Sequence, residues 1–401
     1  MKVMRRRRAY AAGGRSLWWQ VAISSTGDGM FLTAFPLLAA SFTRDPGAIA
    51  GVTVASRAPW ILFSLPFGAI ADRFDRRLLM VLADVVRGVV VALLAALVIA
   101  GDANVWVLYA GAFVLGTGEV LHACASLALI PVVVGKEDLE AFNSGLMAAQ
   151  AATEQFIGPP LGSALFAIAP SIPFVADAVS FGGSVVLASR LPDVHGVEKP
   201  TTRVRDDVRE GWRYMFGNPL LKRLAILIGT LNVFYFASES VLVLYTFDKL
   251  HAGKATFTAL FLAAAVGLVV GQPLIEPVRR RFDARSAIVL SIWLWAIALI
   301  GLTFTSSAPV AIAMWFLLGL GDAFWRVLTV TLRQRITPNH LMGRVNSVHR
   351  LFGMGAIPIG AALGGFLSKA IDIRAPFAMA AIAFIVFALY GPRFLEPARG
   401  L

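Results

Sequence analysis

Gly68-Ala69-Ile70-Ala71-Asp72-Arg73-Phe74-Asp75-Arg76-Arg77 crowds two acids and three arginines into a short turn between two long apolar runs, 47–71 and 78–100. A helix needs roughly 20 apolar residues to cross the hydrocarbon core of a bilayer, and each flanking run is long enough. A charged turn between two such runs marks the end of one span and the start of the next. Continuing outward in both directions gives twelve spans, at 16–42, 47–71, 78–100, 104–131, 142–168, 173–191, 220–248, 253–278, 284–306, 308–334, 344–369 and 373–393. The composition agrees: 58% of residues are hydrophobic and 15% charged, against about a quarter charged in a soluble chain. The predicted fold class is an all-α membrane protein of twelve transmembrane helices in two six-helix halves.

Lys and Arg outnumber Asp and Glu by 12. A nucleic-acid binder gathers its basic residues on one accessible patch, whereas here they recur between the spans, which excludes that class. With the N-terminus in the cytoplasm, most Lys and Arg fall in cytoplasmic segments, as the positive-inside rule requires. The inverted arrangement would put Arg5 to Arg8 and Arg279 to Arg281 outside. The expected location is therefore the cell inner membrane, with both termini cytoplasmic. The basic start followed by apolar residues imitates a signal peptide, but the apolar run is too long and shows no small-residue cleavage site, so it reads as a retained first helix.

Cys124 is the only cysteine, which rules out intrachain disulfides, Cys-based zinc sites and iron–sulfur clusters. Five histidines are scattered, and there is no Gly-x-x-x-x-Gly-Lys-Ser/Thr loop for nucleotide phosphates. No metal and no cofactor are expected, and no catalytic constellation suggests an enzyme.

The least hydrophobic internal stretch, 192–219, divides the spans six and six. Domains are placed at 1–191 and 220–401, with 192–219 as a cytoplasmic linker. In that linker Val204, Val208, Trp212 and Met215 recur at helical spacing among charged residues, the pattern of a helix lying in the membrane interface. The halves repeat one another. At an offset of 203, Leu115-Gly116-Thr117-Gly118-Glu119 matches Leu318-Gly319-Leu320-Gly321-Asp322; at 208, Arg73-Phe74-Asp75 and Arg77 match Arg281-Phe282-Asp283 and Arg285. Internal repetition of this kind is common in transporter folds.

The turn quoted first, through Gly68, Asp72, Arg73, Arg76 and Arg77, resembles the signature loop of the major facilitator superfamily, Gly-x-x-x-Asp-Arg-x-x-Arg-Arg. Gly68 would allow close helix approach, and the charges would bond neighbouring helix ends in a conformational switch. Gly158-Pro159-Pro160-Leu161-Gly162 in span five resembles the Gly-Pro-x-x-Gly core of that superfamily's antiporter signature, so Gly158, Pro159 and Gly162 are expected to form a bend that packs closely. Gly27-Asp28-Gly29, Asp84 to Arg87, Arg209 to Tyr214 and Gly343 to Ser347 are similar to stretches of the drug/proton antiporter branch that includes macrolide-efflux and enterobactin-export proteins. The resemblance implies an alternating-access transporter whose halves rock around a central cavity. One departure is clear: many drug antiporters carry an arginine in span four, where this chain has Glu119 and His122.

A charge near the bilayer centre costs several kcal/mol on the gentlest scales, so each one kept there asks for a purpose. Asp84 and Arg87 are three apart, and Asp322 and Arg326 four apart, so each pair can meet on its own helix. Asp28, Glu154 and Glu239 have no basic residue at that spacing, and Arg57 no acid, so their partners must be water or on other helices. Glu119 has only His122 on its face. Desolvation disfavours a charged carboxyl, which suits proton exchange, and the coupling candidates are Glu119 first, Asp28 second, then Glu154, Glu239 and Asp322. Arg57, His122, Tyr235, Phe236, Phe324, Trp325 and Arg326 are the candidates for lining a substrate cavity. The expected function is export of small amphipathic or hydrophobic compounds by proton antiport, with protons, the bilayer and a small molecule as partners and a monomer as the unit. Export of one dedicated metabolite, such as a siderophore or antibiotic, is the alternative.

Overall fold

A computed structural model describes residues 2–134, 139–191, 204–338 and 341–395, and all the secondary structure among them is helical. The chain divides into two compact units, one of Met1–Phe42 with Ala55–Val204, the other of Thr43–Val54 with Arg205–Leu401. The residues from α1 (Lys2–Phe42) onward follow the predicted spans through α2 (Pro46–Arg73), α3 (Arg76–Ala100) and α4 (Val105–Val133). The fifth span is α5 (Leu139–Ala151), a π turn (Ala152–Ile157) and α6 (Gly158–Ile168); α7 (Ile172–Ser189) is the sixth. After the amphipathic α8 (Val204–Gly217) come α9 (Pro219–Glu239), the short α10 (Leu242–Leu244), and α11 (Lys254–Gly271) running into α12 (Ile275–Arg281). The chain closes with α13 (Ala284–Phe304), α14 (Ala308–Ile336), α15 (Met342–Ala370) and α16 (Ala375–Phe394).

Eleven helices among the described residues are long and apolar enough to cross a membrane. The twelfth span is the interrupted fifth. Proline has no amide hydrogen and its ring collides with the carbonyl one turn back, so Pro159 and Pro160 deny the preceding turn its normal bonds. That turn widens into the π form, a known way for a helix to bend.

The duplication seen in the sequence reappears in the packing inside each unit. Built with a side chain, Gly116 of α4 would strike the Ser56 carbonyl of α2, and Gly319 of α14 the Ala264 carbonyl of α11. Gly118 is filled by Arg87 of α3, and Gly321 by Trp295 of α13. Gly158 lies on Gly29 of α1, and Gly360 of α15 on the Val233 carbonyl of α9. Equivalent glycines thus bring equivalent helices together, since small residues let membrane helices approach. The two loops match as well: Asp75 caps α3 by accepting from the Arg77 and Leu78 amides, and Asp283 caps α13 by accepting from Ser286.

Gly68 differs from expectation. No atom of the described residues lies within 4 Å of where its side chain would begin, so it makes no close helix approach here. The Asp72 side chain lies outside the described residues, as do 192–203 of the linker. In α8, Met215 is fully buried, while Trp212 stacks on Phe216 and reaches Phe352 of α15.

Gly158→Leu tests the bend. A β-carbon there would stand 2.5 Å from the Gly29 Cα, whereas one at Gly182 meets nothing within 4 Å. Overpacking typically costs about 1–3 kcal/mol, so purified Gly158→Leu should melt well below the parent protein and Gly182→Leu close to it. Equal melting of the two variants would remove Gly158 from the helix contact.

Candidate functional site

In the first unit, α1, α3, α4 and α7 meet around a set of polar side chains that bond across helices. Gln20 of α1, fully buried, donates from its amide to Asp84 at 3.0 Å and lies 2.9 Å from Ser184 of α7 and 2.6 Å from His122 Nε2 of α4. Ser184 donates to the same Asp84 oxygen at 2.6 Å. Arg87 bonds Asp28 and Ser24 of α1, and its guanidinium stands 4.4 Å above the Phe181 ring of α7. Arg57 of α2 reaches both oxygens of Glu119 on α4, at 3.1 and 3.3 Å.

Two sequence-based expectations change here, and a third, the Asp84 and Arg87 pair, is met only at the limit of an ion pair. Asp84 and Arg87 approach only to 4.0 Å and spend their hydrogen bonds on other helices, because Gln20 and Ser184 occupy one Asp84 oxygen and Asp28 draws Arg87 toward α1. Glu119 is not left with a histidine alone: Arg57 pairs with it across helices, a contact that spacing along one helix cannot reveal. His122, placed among the cavity candidates, is buried between Gln20 and Asp84 instead. Asp177 of α7 was not singled out at all. Its signal was available: an acid inside an apolar run, with no base three or four positions away.

In the second unit, Tyr235 hydrogen-bonds Glu239 one turn along α9, and Asp322 and Arg326 of α14 lie within electrostatic reach of that tyrosine. Arg326 bonds Asp322 at 2.6 Å, as their spacing predicts. Tyr235 packs edge-on to Phe236 and lies near Trp315. Phe324 and Trp325 are 3% and 5% exposed, and Trp325 packs on Trp295 of α13. Both are core residues in this conformation, which removes them from the surface a substrate can touch. Glu154 sits half-buried on the π turn beside Gly29. No cluster among the described residues could hold a metal ion.

A family described as transmembrane secretion effector, within the major facilitator superfamily, matches residues 11–398. The chain belongs to that family. Among its relatives, the multidrug efflux pump Tap of Mycobacterium bovis is 26% identical over 382 residues, covering 92% of this chain and 90% of the relative. Macrolide efflux protein A of Streptococcus pyogenes is 23% identical over 349 residues, covering 84% and 85%. A solved bacterial homologue of the iron transporter ferroportin, in an inward-facing state, superposes with a TM-score of 0.74 at 19% identity over 96% of this chain and 98% of that one. The nucleoside transporter NupG, as a D323A mutant, also gives 0.74, at 12% identity over 94% and 99%. These two likenesses concern the fold. The chain is thus a multi-pass membrane transporter of the superfamily, and the family and its named relatives are transporters.

Inside the second unit, Lys369 of α15 bonds Asp45 at 2.5 Å, Lys249 bonds Asp372 at 2.8 Å, and Arg44 lies 3.5 Å from Asp248. The Lys369 bond, with the Gly47 and Ala48 amides, holds the Asp45 carboxyl below its usual range. Burial pushes Asp372 up, but Lys249 and the Arg374 amide outweigh it and leave it low. A lowered carboxyl keeps its contribution above its ordinary range and loses it only as pH falls through the lowered value. Between about pH 5 and 8, where physiological switches titrate, the Asp45 and Asp372 pairs stay intact. Asp45→Asn should accordingly leave the shape of the transport–pH curve over that interval unchanged while lowering its amplitude. A changed midpoint would assign the pH response to these pairs.

Proposed function

We propose that the protein is a secondary exporter of small amphipathic or hydrophobic, drug-like compounds, working by alternating access and driven by protons moving inward. The names of its relatives support efflux. The network of Asp28, Asp84 and Arg87 with Gln20, His122 and Ser184 supports ion coupling, because buried charges in a membrane bundle are costly and mark ion or substrate routes. Asp28 and Glu119 are each held by an arginine, and a proton or a cationic substrate competes with that arginine for the carboxyl group. Glu239, Asp322, Arg326, Tyr235 and Phe236 supply the polar and aromatic contacts of the second half. The bundles, 1–191 and 220–401, function as one monomer with both termini in the cytoplasm.

Accumulation of a fluorescent lipophilic cation and of a macrolide, measured in cells with and without the protein, tests this reading. Expression should lower accumulation of both several-fold, and a protonophore should abolish the difference. Export of neither compound would sink the drug-efflux reading. Export that persists in the protonophore would sink proton coupling alone.

A further inference from the structure

Asp177 stands apart from the other acids of the first bundle. Its residue is fully buried, one carboxyl oxygen accepts from the Ser180 hydroxyl at 2.7 Å, and the other has no hydrogen-bond partner. The groups facing it are few. Asp28 of α1, with Asp84 and Arg87 of α3, is in electrostatic reach. Gly27 of α1 lies directly against its Oδ1, where any side chain would collide, and α6 carries no ionisable residue. The cations are already committed, Arg87 to Asp28 and Arg57 to Glu119. A carboxylate buried with one hydroxyl and no cation bonded to it is far costlier than a neutral acid.

We propose that Asp177 carries the exchanged proton in this conformation and releases it when a cationic substrate takes Asp28 away from Arg87. The arrangement makes the swap short, because Arg87 already lies over Phe181, one turn beyond Asp177 on α7. The substrate cation pairs with Asp28, and the freed guanidinium turns to Asp177. The Asp177 O–H bond breaks, its proton passes to water, and the new carboxylate is balanced by Arg87. One cation enters the bundle as one proton leaves, so the charge inside is unchanged. Gly27 then serves to let the Asp177 carboxyl lie beside Asp28.

This rests on proton antiport, and the experiment separates the two. Purified full-length protein is mixed with tetraphenylphosphonium in weak buffer while released protons are counted and infrared difference spectra recorded; proteoliposomes report uptake under an imposed pH gradient. The parent protein should release a proton on binding and lose a protonated-carboxyl band. Asp177→Asn, which resembles the protonated acid, should bind the probe with no release and no band, and should not concentrate it. If Asp177→Asn proves unstable, the parent spectrum still decides whether a carboxyl is emptied, and Asp177→Glu identifies it by moving the band. Proton release undiminished in Asp177→Asn, or a parent spectrum without the band, overturns the assignment to Asp177. A parent protein that ignores the pH gradient overturns antiport and the assignment with it. One that does not bind the probe overturns the cationic substrate class.

Discussion

Arg87→Leu should destabilise the first bundle more than any other single change at its membrane-embedded charges. The side chain is 3% exposed, its stem fills the space left by Gly118, its guanidinium bonds Asp28 and Ser24, and it lies over Phe181. Without it Asp84, fully buried, keeps the Gln20 and Ser184 bonds but loses its nearest full positive charge. Breaking a buried pair by removing one partner costs about 3–5 kcal/mol, because the other charge is left uncompensated. Purified Arg87→Leu should therefore melt far below the parent protein or fail to accumulate in the membrane. Arg87→Lys keeps the charge but neither the forked geometry nor the stacking, and should recover only part of the loss. Parent-like melting of Arg87→Leu would mean that Asp28 and Asp84 are content without an arginine, and the network would lose its central member.

Glu119→Gln should abolish export against a gradient while leaving the protein folded. Its carboxylate is a third exposed and bonded to Arg57 through both oxygens. The amide fills the same volume but carries no charge to exchange, so Arg57 is no longer released and recaptured as protons and substrate come and go. Substrate binding should persist. Proteoliposomes under an imposed pH gradient decide it: if Glu119→Gln still concentrates substrate, Glu119 is outside the coupling route. Because Arg57 is on α2 and Glu119 on α4, Arg57→Gln should reproduce the transport defect. A stability loss without that defect would mark the pair as packing alone.

The span count, the duplication and the family were legible in the sequence because each depends on patterns along the chain. Apolar run length sets what can cross a bilayer, and the recurrence of Gly116 and Gly118 at Gly319 and Gly321 marks a second copy of the same helix contacts. The interruption of span five by a π turn has a local cause, since proline acts on its own helix. The Asp322 and Arg326 pair followed from one turn of spacing. Partners across helices did not follow. Arg57 and Glu119 are 62 positions apart, and Gln20 and Ser184 are 164 apart; nothing local selects them. The same limit misplaced His122, Phe324 and Trp325, whose polar or aromatic character suggested a cavity but whose neighbours put them in the interior. Gly68 erred in the opposite direction, because a glycine permits close approach without requiring it. What the sequence by itself determined is therefore whatever a single helix or a repeated copy can express: crossing, pairing one turn apart, and doubling. The tertiary structure alone decided which acid meets which cation, since that depends on the rotation of helices about one another. The same rotations leave the buried Asp177 bonded to the Ser180 hydroxyl with no ion pair among the described residues.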